Sequence, residues 1–207
     1  MIYFQSGGAV SRVFAAGLAE ERITDRLKTR PVKKRNDRRC DWMDYTAHYE
    51  SPAGGMTLAS DGIALTGLWF DGQKYFAAGL ANEREERMLP VFRETFDWLD
   101  LYFSGRQPDF RPALSLQATD FRKRIWEILL SIPFGCTMTY GEIAGRIAGE
   151  KGIKKMSPQA VGGAVAHNPV SLIIPCHRVV GSRGELTGYA AGIEKKRWLL
   201  QHEHAGL

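Results

Sequence analysis

Apolar and polar residues follow two different periods in the first half of this chain. Residues 45–50, 56–60 and 63–70 read as strands. Turn signals separate them: Ser51-Pro-Ala-Gly-Gly, Asp61-Gly62 and Asp71-Gly72. Asp61-Gly62 between two such runs is a strong hairpin signal. From residue 85 to 103 the period becomes helical, with Val91, Phe92, Phe96, Leu99 and Phe103 on one face and Pro90 placed to set the effective start. These aromatics suit a core better than a ligand box. Residues 104–112, rich in Gly and Pro, read as a linker. The first half is therefore a small α/β scaffold in which no chemistry is evident.

After the linker the pattern is mostly helical. Thr119 or Asp120 can cap a helix whose apolar face is Phe121, Ile125, Ile128 and Leu129, ended by Ile132-Pro-Phe-Gly. A short helix starts near Tyr140. After the basic run 151–155 comes another, with Ser157 as N-cap and Pro158 at N1, running to about His167 before Asn168-Pro169. Two short helices with a short connection make a helix-turn-helix candidate.

The 207 residues suffice for one or two small domains, and no apolar run is long enough to cross a bilayer. The start lacks a basic n-region, and Arg12 interrupts the weakly apolar stretch, so no secretory signal is expected. Residues 1–42 read as a basic extension. They have no apolar period, carry seven Lys or Arg between 28 and 39, and fit a dispensable disordered tail better than a DNA-binding arm. Tyr-Phe-Gln-Ser within them resembles a protease-tag remnant, and Met43 is the expected natural start. Net charge runs +5 over 1–43, −5 over 44–114 and +5 over 115–207, so the last part is the one suited to face a polyanion.

Cys40, Cys136 and Cys176 are too few and too unevenly spaced for a disulfide framework or a zinc site. They fit a reducing compartment. Cys176 lies in Ile-Ile-Pro-Cys-His-Arg-Val-Val at 173–180, where an apolar run delivers a thiol behind a stiff proline and before a histidine. Taken alone, that dipeptide favours a structural cysteine at the end of a strand.

It is not alone. Gln159-Ala-Val-Gly-Gly-Ala-Val-Ala-His-Asn-Pro precedes it. Gly184-Glu-Leu-Thr-Gly-Tyr-Ala-Ala-Gly and Glu194-Lys-Lys-Arg-Trp-Leu-Leu-Gln-His-Glu follow it. This succession resembles the O6-alkylguanine-DNA alkyltransferases, also called methylated-DNA–protein-cysteine methyltransferases, over about residues 44–203 and most densely over 140–203. The resemblance implies an α/β (α+β) fold. A small N-terminal antiparallel-sheet/helix domain spans 43–112. A mostly helical, winged-helix-like C-terminal domain spans 113–207 and carries the catalytic and DNA-binding residues.

The activity implied is irreversible, single-turnover transfer of an alkyl group from O6-alkylguanine in double-stranded DNA to the protein's own cysteine, without metal or organic cofactor. By the resemblance Cys176 is the nucleophile, His177 deprotonates it through a water, and Glu203 polarises His177. Tyr140 donates a proton toward the guanine N3 side and meets the phosphate. Asn168 ties together the turn carrying the active-site strand, and Arg178 is a structural ion-pair partner. Residues 188–192 form the pocket wall, where Tyr189 packs on the base and the Ala190 amide donates to O6. The carbonyls of Cys176 and Val179 accept from the guanine amino group. Many relatives have glycine where Ala191 stands, which implies a tighter pocket here.

The second helix of the pair would lie in the minor groove while the damaged nucleotide is rotated out. Its small residues, Ala160 and Gly162 among them, permit close approach and read little sequence. Gln159 stands where much of the family has an intercalating arginine; it can donate to the orphaned base but carries no charge and cannot stack as a guanidinium does. A monomeric, cytoplasmic protein with DNA and no membrane as partner is expected. A damage-binding protein without transfer is the main alternative. Its known examples lack the cysteine. A cysteine hydrolase would need an oxyanion hole, and a sequence-specific regulator would need a richer reading helix.

Overall fold

The computed structural model describes residues 27–28, 43–81 and 83–204. The expectations for the basic extension, the Tyr-Phe-Gln-Ser stretch and Cys40 lie outside the described residues, Leu27–Lys28 excepted.

A three-stranded antiparallel meander organises the N-terminal domain: β2 (Asp44–Ser51), β3 (Gly54–Ser60) and β4 (Leu65–Phe70). The Asp61-Gly62 turn is where the sequence puts it. Asp61 Oδ1 accepts from the Ile63 and Ala64 amides at 3.1 and 2.9 Å, and Gly62 takes φ +99°. The expected strand start at 63 moves to Leu65 because this turn uses Ile63 and Ala64.

Three short strands, β1 (Leu27–Lys28), β5 (Arg84–Glu86) and β6 (Leu114–Ser115), each parallel to its neighbours, extend the meander to a mixed sheet of order β1-β6-β4-β3-β2-β5. The sheet is thus not purely antiparallel. Strands of two or three residues leave no alternation to read. β6 falls beyond the expected boundary at 112 and belongs to the sheet through Leu65↔Leu114.

Helix α1 (Pro90–Phe103) begins at its proline rather than at 85, since 84–86 pair with β2. Its buried face is Val91, Phe92, Thr95, Trp98, Leu99 and Tyr102, with Phe96 and Phe103 half-buried. Thr95 is tolerated there because its hydroxyl donates to Val91 O at 2.7 Å. Each fully buried apolar side chain on this face contributes roughly 1.5–3 kcal/mol.

The C-terminal domain packs α2 (Asp120–Leu130), α3 (Tyr140–Glu150), α4 (Pro158–Ala166) and α5 (Ile193–His202). Thr119 caps α2 through the Arg122 amide. A reciprocal capping box between Thr139 and Glu142 starts α3. Ser157 occupies the N-cap position of α4, but its hydroxyl makes no capping bond and donates to Gln159 Oε1 instead. The Trp126 indole donates to Ala164 O at 3.0 Å, locking the helix pair onto α2.

The run 173–180 is chiefly a turn, not a strand. Cys176–Arg178 form one turn of 3₁₀ helix, and only β8 (Val179–Val180) pairs, in parallel with β7 (Met138–Thr139). The two domains meet along residues 168–174, where Leu68 N donates to Pro169 O and Ser171 N to Leu68 O, both at 2.8 Å. No helix among the described residues is long and apolar enough to cross a membrane.

Candidate active site

Pro175 precedes the 3₁₀ turn at φ −80°, ψ 64°, and the Cys176 amide folds back onto Ile174 O at 2.7 Å. Upstream, Leu172 sits at φ +67°, a costly conformation for a bulky residue that only over-determined surroundings maintain. Asn168 supplies those surroundings. Its Nδ2 lies 2.8 Å from Ile174 O, 3.2 Å from Val170 O and 3.1 Å from Cys176 Sγ, while its Oδ1 accepts from Val170 N. The asparagine is buried and ties the turn to the thiol.

Cys176 is 5% exposed. Burial pushes its thiol up, against the opposing pull of the Asn168 hydrogen bond and the Lys196 charge. At neutral pH it is therefore a thiol and needs a base. His177 is fully buried, and burial holds it below its ordinary value despite the Glu203 hydrogen bond. It is neutral at pH 7. Its Nε2 stands 2.6 Å from Glu203 Oε1. A carboxylate only accepts, so Nε2 carries the proton and Nδ1 keeps its lone pair. Nδ1 has no protein partner.

Glu203, the C-cap of α5, is the most heavily bonded group in the site. Oε1 accepts from His177, from Tyr102 OH at 2.7 Å and from Arg178 Nη2 at 3.1 Å. Oε2 accepts from Arg178 Nε at 2.8 Å and the Gly135 amide at 3.2 Å. Burial alone would push this carboxyl up. The hydrogen bonds of His177 and then Arg178, with the Arg178 charge and the charge His177 takes on when protonated at acid pH, outweigh it and hold Glu203 well below the usual carboxylate range. Gly135 is required: at φ +73° a Cβ there would lie 2.9 Å from Glu203 O. Arg178 also donates to Ile132 O at 2.7 Å, which fits the structural role expected of it.

The expected residues divide into two groups. Cys176, His177, Glu203 and Asn168 converge in the buried centre, and Val179 follows at the start of β8. The Cys176 carbonyl accepts from Val179 N, and the Val179 carbonyl already accepts from Lys196 Nζ, so each has one lone pair left. Tyr140 is half-buried, its hydroxyl 3.5 Å from the Thr187 and Gly188 carbonyls. Burial raises its pKa, so it stays a proton donor. Tyr189 is half-buried with its ring edge-on to His177 at 6.5 Å, and the Ala190 carbonyl accepts from Lys74 N. Gln159 and Ala160 are exposed at the start of α4. A Cβ on Gly162 would stand 3.7 Å from the Tyr140 ring, so this helix packs against Tyr140.

Two participants escaped the sequence reading. Lys196 is completely buried. Its ammonium donates to Val179 O and to Thr187 O at 2.8 Å, and burial lowers it to about 8. The signal was available: Lys196, Leu199, Leu200 and Glu203 follow i, i+3, i+4, i+7, so two charges share the apolar stripe of one helix. Tyr102 likewise continues the buried face of α1. Among the described residues no group of three His, Cys, Asp or Glu side chains is placed to hold a metal.

Two family models match. The 6-O-methylguanine DNA methyltransferase ribonuclease-like domain covers residues 45–116 and the DNA-binding domain of the same name covers 120–205. The chain is 43% identical over 162 residues to a methylated-DNA–protein-cysteine methyltransferase of Mycobacterium tuberculosis, covering 75% of this chain and 92% of that one. It is 39% identical over 160 residues to the Haemophilus influenzae protein of that name, with 77% and 86% covered. Among solved structures, Mycobacterium tuberculosis OGT in complex with DNA superposes with a TM-score of 0.66 at 40% identity, over 79% of this chain and 93% of that one.

Proposed function

The chain belongs to the 6-O-methylguanine DNA methyltransferase family, and on that premise we propose that Cys176 is the cysteine that takes the alkyl group from O6-alkylguanine in DNA. The carrying observation is the His177 Nε2–Glu203 Oε1 bond of 2.6 Å. It fixes the tautomer in which Nδ1 is basic, directly after a buried thiol that needs a base.

The thiol proton passes to His177 Nδ1 through a water, and Glu203 stabilises the imidazolium. The thiolate attacks the alkyl carbon in line as the carbon–O6 bond breaks. The electron pair left on guanine is received by Tyr140 on the N3 side and the Ala190 amide at O6. The carbonyls of Cys176 and Val179 select guanine through its amino group. In net terms one S–H and one O–alkyl bond become one S–alkyl and one guanine proton. A thioether is not hydrolysed under cell conditions, so each molecule acts once.

The start of α4, with exposed Gln159 and Ala160 and half-buried Gly162, faces the minor groove of duplex DNA, Gln159 filling the place of the extruded base. The protein works as a monomer. The exposed free thiol of Cys136 and the unpaired Cys176 suit the reducing cytoplasm.

Mass spectrometry after mixing the protein with a duplex containing one O6-methylguanine tests this. One methyl on the Cys176 peptide, never more than one per molecule and none in Cys176→Ala, is expected. Tight binding without transfer would establish a damage-binding protein instead.

A further inference from the structure

Tyr102 belongs to α1 of the N-terminal domain, yet its hydroxyl ends in the catalytic centre of the other domain. It donates to Glu203 Oε1 at 2.7 Å and lies 3.5 Å from His177 Nε2. The residue is completely buried. Its ring is stacked on Trp98 at 5.4 Å and meets Phe103 and Phe134 edge-on at 5.2 and 5.9 Å. Its carbonyl accepts from His202 Nε2 at 2.8 Å. A phenylalanine would fill the same space. The hydroxyl's partners are the carboxylate and imidazole that serve Cys176, so packing does not account for it.

We propose that Tyr102 is a positioning residue of the alkyl-transfer centre, by which the N-terminal domain holds Glu203 and sets how strongly that carboxylate supports the His177 cation. The proposal rests on the reading of His177 as the base for Cys176. Oε1 divides its electron density among three donors, Tyr102, His177 and Arg178. Each donor that is not His177 reduces the charge available to stabilise an imidazolium. Tyr102 remains a donor across the working range, because burial and then the Glu203 charge push its phenol well above its usual value.

The other charged or titratable groups facing this pair come from every element around it. They are Arg178 and Cys176 of the 3₁₀ turn, Lys196 and His202 of α5, and Tyr189 of the pocket wall. Arg178 and Lys196 disfavour the cation on His177. The tyrosine works in the same direction without bearing charge, and it comes from the N-terminal domain rather than from the domain that carries Cys176, His177 and Glu203.

The test is the single-turnover rate of methyl transfer from an O6-methylguanine duplex as a function of pH, using the full chain with Tyr102, Tyr102→Phe, or 3-fluorotyrosine at position 102. Removing the hydroxyl makes Glu203 a stronger partner for His177 and raises its pKa. The acid limb should move up by about half a pH unit, because only part of the lost hydrogen bond to the carboxylate differs between the two protonation states of His177. The more acidic fluorotyrosine donates more strongly and should move the limb down. Thermal unfolding of each form separates this from a packing loss, which lowers the melting temperature without moving the limb. The fluorotyrosine form keeps the shape of the native residue and carries the test where Tyr102→Phe does not fold. An unmoved limb, or movement in the opposite sense, overturns the proposal. A wild-type protein that transfers no methyl overturns the underlying reading instead.

Discussion

Asn168 Nδ2 and Cys176 Sγ are 3.1 Å apart, and the same nitrogen lies within hydrogen-bond distance of two carbonyls. Those carbonyls can only accept, so they fix which end of the amide is NH₂ and aim a donor at the sulfur. The bond favours the thiolate. Asn168→Asp turns the donor into an acceptor facing two carbonyls and the sulfur. It should cost about 3 kcal/mol of stability and slow thiol alkylation at Cys176. Denaturant unfolding and iodoacetamide labelling at neutral pH measure the two effects.

Glu203→Gln should be more damaging. It leaves the buried Arg178 without its counter-charge, at a cost of about 3–5 kcal/mol. The sign with pH is definite. The folded carboxyl is held below its ordinary 4.5, so its stabilisation is fully present above that value and is lost as pH falls toward the folded pKa. Urea unfolding from pH 7 down to 3 should show stability falling steeply in the parent below 4.5. The variant should start lower and fall less.

How much of this was legible follows from residue periodicity. The β3–β4 hairpin was visible because Asp61 and Gly62 carry its turn locally. The start of α1 at Pro90 was visible for the same reason. The short parallel strands were not, because Arg84–Glu86 and Leu114–Ser115 owe their state to distant partners. At the site, Cys176, His177 and Asn168 stand close in sequence and share one turn. The link from Tyr102 to Glu203 spans 101 positions and joins two domains, so no local pattern contains it. Ser157 shows the limit of cap rules: the residue type and position are right, and the hydroxyl bonds elsewhere.

Lys196 is a buried cation whose folded pKa, about 8, lies below its ordinary 10.5. Between those values the unfolded chain binds more protons, so this group makes stability rise with pH through that window. Lys196→Met should remove that rise, read as the difference between parent and variant unfolding curves from pH 7.5 to 10.5. It also removes a charge that lowers the Cys176 pKa and the donor that holds the Val179 carbonyl. Transfer at pH 7 should fall about tenfold, equivalent to one lost charge-assisted hydrogen bond.

Gln159 is exposed and neutral, its Oε1 accepting from Ser157. Gln159→Arg adds a cation at the start of the helix proposed to meet DNA. Affinity for a duplex should rise, and the slope of log K against log salt should steepen by about 0.9. A titration of undamaged duplex at several salt concentrations measures it. An unchanged slope would show that this end of α4 does not approach the phosphates.

The reaction itself should change the stability of the protein. Cys176 is 5% exposed, within the hydrophobic cluster and under the Asn168 amide. Converting its thiol to a methyl thioether adds a carbon to a packed site and ends any thiolate stabilisation by Asn168 or Lys196. Inserting one methylene-sized group into a packed core costs about 1–3 kcal/mol. For a chain of this length each kcal/mol lowers the melting temperature by roughly 2–4 °C. Protein that has reacted with one equivalent of O6-methylguanine duplex, freed from DNA and heated beside unreacted protein, should therefore melt several degrees lower. Cys176→Ala given the same treatment should show no difference, because it forms no thioether. An equal melting temperature before and after transfer would mean that the pocket accommodates the alkyl group without strain. The buried turn would then have room that its packing does not suggest.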